Sequence, residues 1–126
     1  LSTTFAKLTV FDSSTASYGV TVAGDNDSIT VTQSGIYMIC FSANFSTDTA
    51  KTIAFALSDG GTEDIDSQSM QAVPTTGAAN IYSANFTVLK SLSASDVLTI
   101  ESKATSGTPE LTFNNIDLVV KKIDEA

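Results

Sequence analysis

Hydrophobic and polar residues alternate with a period of two along most of this chain, the pattern of strands packed on one face. "AKLTVF" sets Ala6, Leu8 and Val10 against Lys7, Thr9 and Phe11. "YGVTVAG" and "SITVT" put Val20 and Val22, then Ile29 and Val31, on single faces. "KTIAFALSDGG" does the same with Ile53, Phe55 and Leu57 and ends in a Gly-Gly turn. "NIYSANFTVLKSL" aligns Tyr82, Ala84, Phe86 and Val88. "VLTIES" points Leu98 and Ile100 inward, and "LTFNNIDLVVKKI" aligns Ile116, Leu118 and Val120. "GDNDS", "SASD" and "SGTPE" read as turns by composition. Over residues 62–79 the alternation is weak, so a long connection with a short strand is expected there. No stretch keeps a helical period over three turns. About eight to ten short strands follow, separated by frequent turns, and they predict an all-β, two-sheet antiparallel sandwich. At 126 residues the chain is expected to form one domain, 1–126.

One strand breaks the rule of a single greasy face. In "GIYMICFSANFS" one alternate set is Tyr37, Ile39, Phe41, Ala43 and Phe45, apolar throughout. The other set opens with Ile36, Met38 and Cys40 and turns polar at Ser42, Asn44 and Ser46. A strand of a simple sandwich has one dry face and one wet one. Two dry faces at one end therefore point to a second surface that something covers.

Composition narrows the chemistry. Ser and Thr make up more than a quarter of the residues, and charged residues only 16%, a β-rich balance with short polar turns. No window carries the long apolar run of a membrane span. The chain opens on Leu1 without a basic-then-apolar signal pattern, which leaves room for a processed or trimmed N-terminus. There is no His, Trp or Arg. The commonest general base and neutral metal ligand are thus missing, as is the guanidinium fork for phosphate. Six Lys against fourteen Asp and Glu give a net charge of −8, which repels nucleic acid.

Cys40 is the only cysteine, so no intrachain disulfide forms, and with no His to activate it the thiol is expected to be a small buried hydrophobe. Asp25, Asn26 and Asp27 offer oxygen ligands but lack the spacing of a calcium loop. Asp59, Glu63, Asp64 and Asp66 read as an exposed acidic loop. Neither a metal nor another cofactor is expected. The carboxylates lie mostly in turns, where water keeps them ionised, so no catalytic pair and no enzyme are expected. The triplets at Asn26, Asn44 and Asn85 are read as chance products of a Ser/Thr-rich chain.

Three stretches, in order and at matching spacing over roughly residues 34–123, carry a resemblance. "SGIYMICFSANF" resembles the G-x-Y strand of the tumour necrosis factor and complement globular-head family. "NIYSANFTVLKSLSASDVLTI" resembles that family's aromatic strand followed by L-x-x-G-D-x-L, with Ser95 where the family has Gly. "FNNIDLVVKKI" resembles its closing core strand. The resemblance implies a TNF-like jelly roll that assembles as a homotrimer, with Ile36, Met38, Cys40 and Tyr82 at the trimer interface. The cytokine loop disulfide is absent and the loops are short. The chain is more similar to compact versions of the family on bacteriophage virions and bacterial spore surfaces. The implied role is a non-enzymatic virion-surface protein, a capsid decoration (cement) protein whose partner is the major capsid protein or another virion protein, with no membrane or nucleic-acid partner. The alternative is a receptor- or carbohydrate-binding tip of a phage fibre or spore-surface protein.

Overall fold

The computed structural model describes residues 5–9, 11, 20–22, 27–60, 62–72 and 80–124. Val10 and most of the "GDNDS" turn lie outside them. Among the described residues there are nine strands and no helix: β1 (Ala6–Lys7), β2 (Val20–Val22), β3 (Ile29–Val31), β4 (Gly35–Thr47), β5 (Thr52–Asp59), β6 (Thr62–Ala72), β7 (Tyr82–Leu92), β8 (Val97–Ala104) and β9 (Leu111–Asp124).

Every pairing is antiparallel. A six-stranded sheet runs β2-β3-β8-β5-β6, with β1 also paired to β8; a three-stranded sheet runs β7-β4-β9. Apart from the β2–β3 and β5–β6 hairpins, consecutive strands from β3 onward pass from one sheet to the other. That crossing pattern makes the sandwich a jelly roll rather than a meander.

The alternation in the sequence becomes the core. Tyr37, Ile39, Phe41, Ala43 and Phe45 of β4 face Ile53, Phe55 and Leu57 of β5 and Leu98 and Ile100 of β8, all buried. Phe55 sits 5.4 Å from both Phe41 and Phe45, centroid to centroid, in the tilted and edge-on geometries that aromatic rings prefer. Each such buried side chain contributes about 1.5–3 kcal/mol of transfer free energy. Leu8 is buried and Phe11 packs against the same cluster.

The G-x-Y pattern has a local cause. Tyr37 is fully buried and its hydroxyl donates to the Gln33 carbonyl at 2.7 Å. Two residues earlier, β4 passes so close to β9 that a Cβ on Gly35 would stand 2.6 Å from the Asp124 carbonyl oxygen and 2.7 Å from Lys122 Cε. Only a residue without a side chain fits there. In the turn between β7 and β8, Ser95 adopts φ 81°, the left-handed conformation that glycine takes without cost.

Three expectations need correction. Residues 62–72 form a full strand, β6, hydrogen-bonded along β5. Its register jumps between the Ala56–Gln68 and Leu57–Asp64 pairs, and the residues inserted there break the alternation that would mark a strand. Ser46, read as outward from its spacing, is buried, as is Thr47 beside it. The register jump beside it, between Asn44 and Phe45, puts its extra residue, Asn114, on β9, where Asn114 and Asn115 are both exposed. Cys40 is half-buried, not buried: its Sγ accepts a hydrogen bond from the Thr87 hydroxyl at 3.7 Å on the outer surface of the sheet.

Candidate functional site

The distinctive surface is the outer face of the β7-β4-β9 sheet. Partners directly opposite in an antiparallel pair point to the same side, so the register defines that face row by row. Met38 lies between Leu89 and Lys121. Cys40 lies between Thr87 and Val119. Ser42 lies between Asn85 and Asp117, and Asn44 between Ser83 and Asn115. Ile36, between Ser91 and Asp124, extends the row at the near end, where Ile123 stands half exposed at a bulge.

The face is therefore divided. One end carries Ile36, Met38, Cys40, Leu89, Val119 and Ile123, interspersed with Thr87, Ser91, Lys121 and Asp124; the other carries amides, hydroxyls and one carboxylate. Leu89 is 62% exposed, Val119 52% and Ile123 50%. Large apolar side chains this open, gathered on one face, lose about 25 cal/mol per Å² left in water and mark contact surfaces rather than random exposure. Asn44 and Asn85 both lie exposed on the polar half.

The structure brings Ile36, Met38 and Cys40 together, half-buried and side by side. It sets Tyr82 apart. Tyr82 pairs with Phe45 and packs against the core from the opposite face of the sheet. The physical reason is parity. Tyr82 shares its face with Ala84, Phe86 and Val88, and register aligns that set with Phe45, Ala43, Phe41 and Ile39. The patch residues that sequence reasoning missed are Leu89, Val119 and Ile123. Their signal was present as the doublets Val88-Leu89 and Val119-Val120, in which both faces of a strand turn apolar, as they do at the start of β4.

Of the acidic residues weighed as ligands, Asp27 is buried and Asp59 half-buried, while the side chains of Asp25, Glu63, Asp64 and Asp66 lie outside the described set. Among the described residues no three His, Cys, Asp or Glu side chains are grouped to hold a metal.

Crossing connections, nine described strands and two antiparallel layers define the class: an all-β jelly-roll sandwich. Solved structures make the fold more specific. The chain superposes on murine APRIL at pH 5.0 with a TM-score of 0.66 and 18% identity, covering 86% of this chain and 80% of that one. Against Eiger TNF from S. frugiperda the TM-score is 0.66 at 17% identity, covering 85% and 70%. Murine APRIL at pH 8.5 gives 0.64 and 17%, covering 86% and 78%. The fold is thus a TNF-like jelly roll, as the G-x-Y and closing-strand resemblances implied. No protein-family model and no curated protein matches the chain.

Proposed function

We propose that this protein is a non-enzymatic structural head that works as a homotrimer on the surface of a virion, as a capsid decoration protein. The observation that carries the assembly is the apolar end of the β7-β4-β9 outer face. Three neighbouring strands present Ile36, Met38, Cys40, Leu89 and Val119 to water in the single chain, and a subunit seam would dry them. The TNF-like fold supports three copies as the closed arrangement.

The decoration role rests on the short connections between the two sheets. Among the connections described in full, β4–β5, β7–β8 and β8–β9 run over residues 48–51, 93–96 and 105–110 and are short. They are also braced. Asp48 Oδ1 accepts from the Glu110 amide at 2.8 Å, and Asp96 Oδ2 from the Ser93 amide at 2.9 Å. Braced, short connections suit a mechanical task, bridging neighbouring capsid subunits.

Sedimentation at micromolar concentration tests the assembly: a species of three 13.1 kDa chains is expected, and a single-chain species refutes it. Mixing the trimer with undecorated capsids tests the role. Saturable co-sedimentation and a raised capsid melting temperature are expected. Binding to host cells or glycans, with none to capsids, would replace this reading with that of a receptor-binding tip.

A further inference from the structure

The edge of β8 that faces away from β5 is shared by two strands. β3 takes the first part, with Thr30 opposite Val97 and Ile29 opposite Leu98. β1 takes the second, with Lys7 opposite Glu101 and Ala6 opposite Ser102, and the Leu8 amide donates to the Ile100 carbonyl at 2.8 Å. The two strands differ in how they are held. β3 is paired on its other side with β2, from Val20–Val31 to Val22–Ile29. Among the described residues β1 pairs with β8 alone.

The seat of β1 is nevertheless specific. Leu8 is buried in the core, and Phe11 packs against the same cluster. On the other face Lys7 stands opposite Glu101, and Lys103 Nζ lies 4.6 Å from the centre of the Phe5 ring. An empty seat would leave the β8 backbone unpaired beside Ile100 and Ser102, and a hole where Leu8 stood. A strand that fills it needs Phe, Lys and Leu at the spacing of Phe5, Lys7 and Leu8, and that spacing occurs once in the chain.

These contacts depend on the residues that reach the seat, not on which chain supplies them. Between Phe11 and Val20 stand eight residues, "DSSTASYG", small and polar, a linker by composition. Eight residues reach roughly 26–29 Å when extended, about the diameter of a small domain. We infer that the β8 edge is an exchangeable strand seat, filled by the chain's own residues 5–8 at low concentration and by the same residues of a second copy where copies crowd together. Both arms make identical contacts, so exchange costs little beyond the tether. A short flexible tether gives its own arm an effective concentration on the order of millimolar, which dilute copies do not match and closely packed ones do. The seat belongs to the six-stranded sheet, not to the β7-β4-β9 face, so this link is separate from the trimer reading and does not rest on it.

The test traps the arm by a disulfide in a Cys40→Ala background. One copy carries Ala6→Cys and another Ser102→Cys, positions directly opposite in the pair and within disulfide reach. A third protein carries both substitutions in one chain. After a short, fixed oxidation at low concentration, the double variant is expected to close within single chains. In the mixture of single variants a 6–102 disulfide forms only where an arm has moved to another copy. That product, counted as two-chain species on a non-reducing gel and assigned by mass spectrometry, is expected to rise at least tenfold between about 10 μM and about 1 mM protein. A mixture without the 6–102 link at about 1 mM, while the double variant closes, overturns the exchange. A double variant that does not close overturns the seat itself. If Ser102→Cys does not fold, Lys7→Cys and Glu101→Cys, the adjacent opposed pair, give the same reading. The trimer is judged apart, by sedimentation of the native protein.

Discussion

Replacing Gly35 by Ala adds one methyl group at the closest approach of β4 to β9. Its backbone is not in the left-handed region, so the substitution carries no conformational penalty there, and the whole cost is steric. The new Cβ meets the Asp124 carbonyl oxygen at 2.6 Å and Lys122 Cε at 2.7 Å. The lysine tail can swing away. The carbonyl cannot, because it belongs to the strand paired with β4 through the bulge at Ile36 and Tyr37. Relief requires the end of β9 to move off β4, loosening the packing over buried Tyr37. Forced overpacking of this kind costs about 1–3 kcal/mol, and a backbone obstacle places it at the upper end, about 2–3. At this chain length that corresponds to a melting temperature about 6–15 °C lower. Gly60→Ala makes the control: its φ is +64° with nothing within 4 Å, so only the left-handed penalty of about 1 kcal/mol applies. Thermal unfolding by circular dichroism at one fixed protein concentration compares the two, since assembly couples to stability. Adding Lys122→Ala to Gly35→Ala should recover only a minor part of the loss. Full recovery, or a Gly35→Ala protein no less stable than Gly60→Ala, would show that the β9 backbone is not the obstacle.

Met38→Lys and Cys40→Asp should split the trimer, since each sets an unpaired charge in the seam at a cost of several kcal/mol, whereas Ser42→Lys and Asn44→Lys on the polar half should shift it little; sedimentation of the four separates the halves of the face. Ser95→Gly should stabilise the fold by up to about 1 kcal/mol by removing a left-handed side chain at φ 81°, less the extra freedom of the unfolded chain, and urea unfolding reads the gain. Chelator treatment should leave the melting temperature within about a degree or two, because a bound ion worth even 1 kcal/mol would move it by several degrees; a drop restored by Ca²⁺ would direct attention to Asp25 and Asp27.

The inner face of the sandwich was legible in the sequence because burial selects side chains at every second position. Tyr37, Ile39, Phe41, Phe45, Ile53, Phe55, Leu57, Leu98 and Ile100 all stand where alternation placed them. The doubled apolarity of Gly35–Phe41 likewise announced a second apolar surface, on the outer face of the sheet. What alternation could not carry was any place where the period slips. β6 is held by backbone hydrogen bonds to β5, which need no side-chain pattern, and its register jump erased the pattern it had. Ser46 and Thr47 are buried one after the other at the end of β4, which no period of two can signal. Pairing partners lay beyond the sequence as well: Leu89, Met38 and Lys121 are 32 to 83 residues apart along the chain and meet only because β7 and β9 flank β4. The same register carried Tyr82 to the core side. Local side-chain periodicity fixes which face of a strand is dry, but the choice of neighbours, and hence the composition of a surface, is decided by long-range backbone pairing.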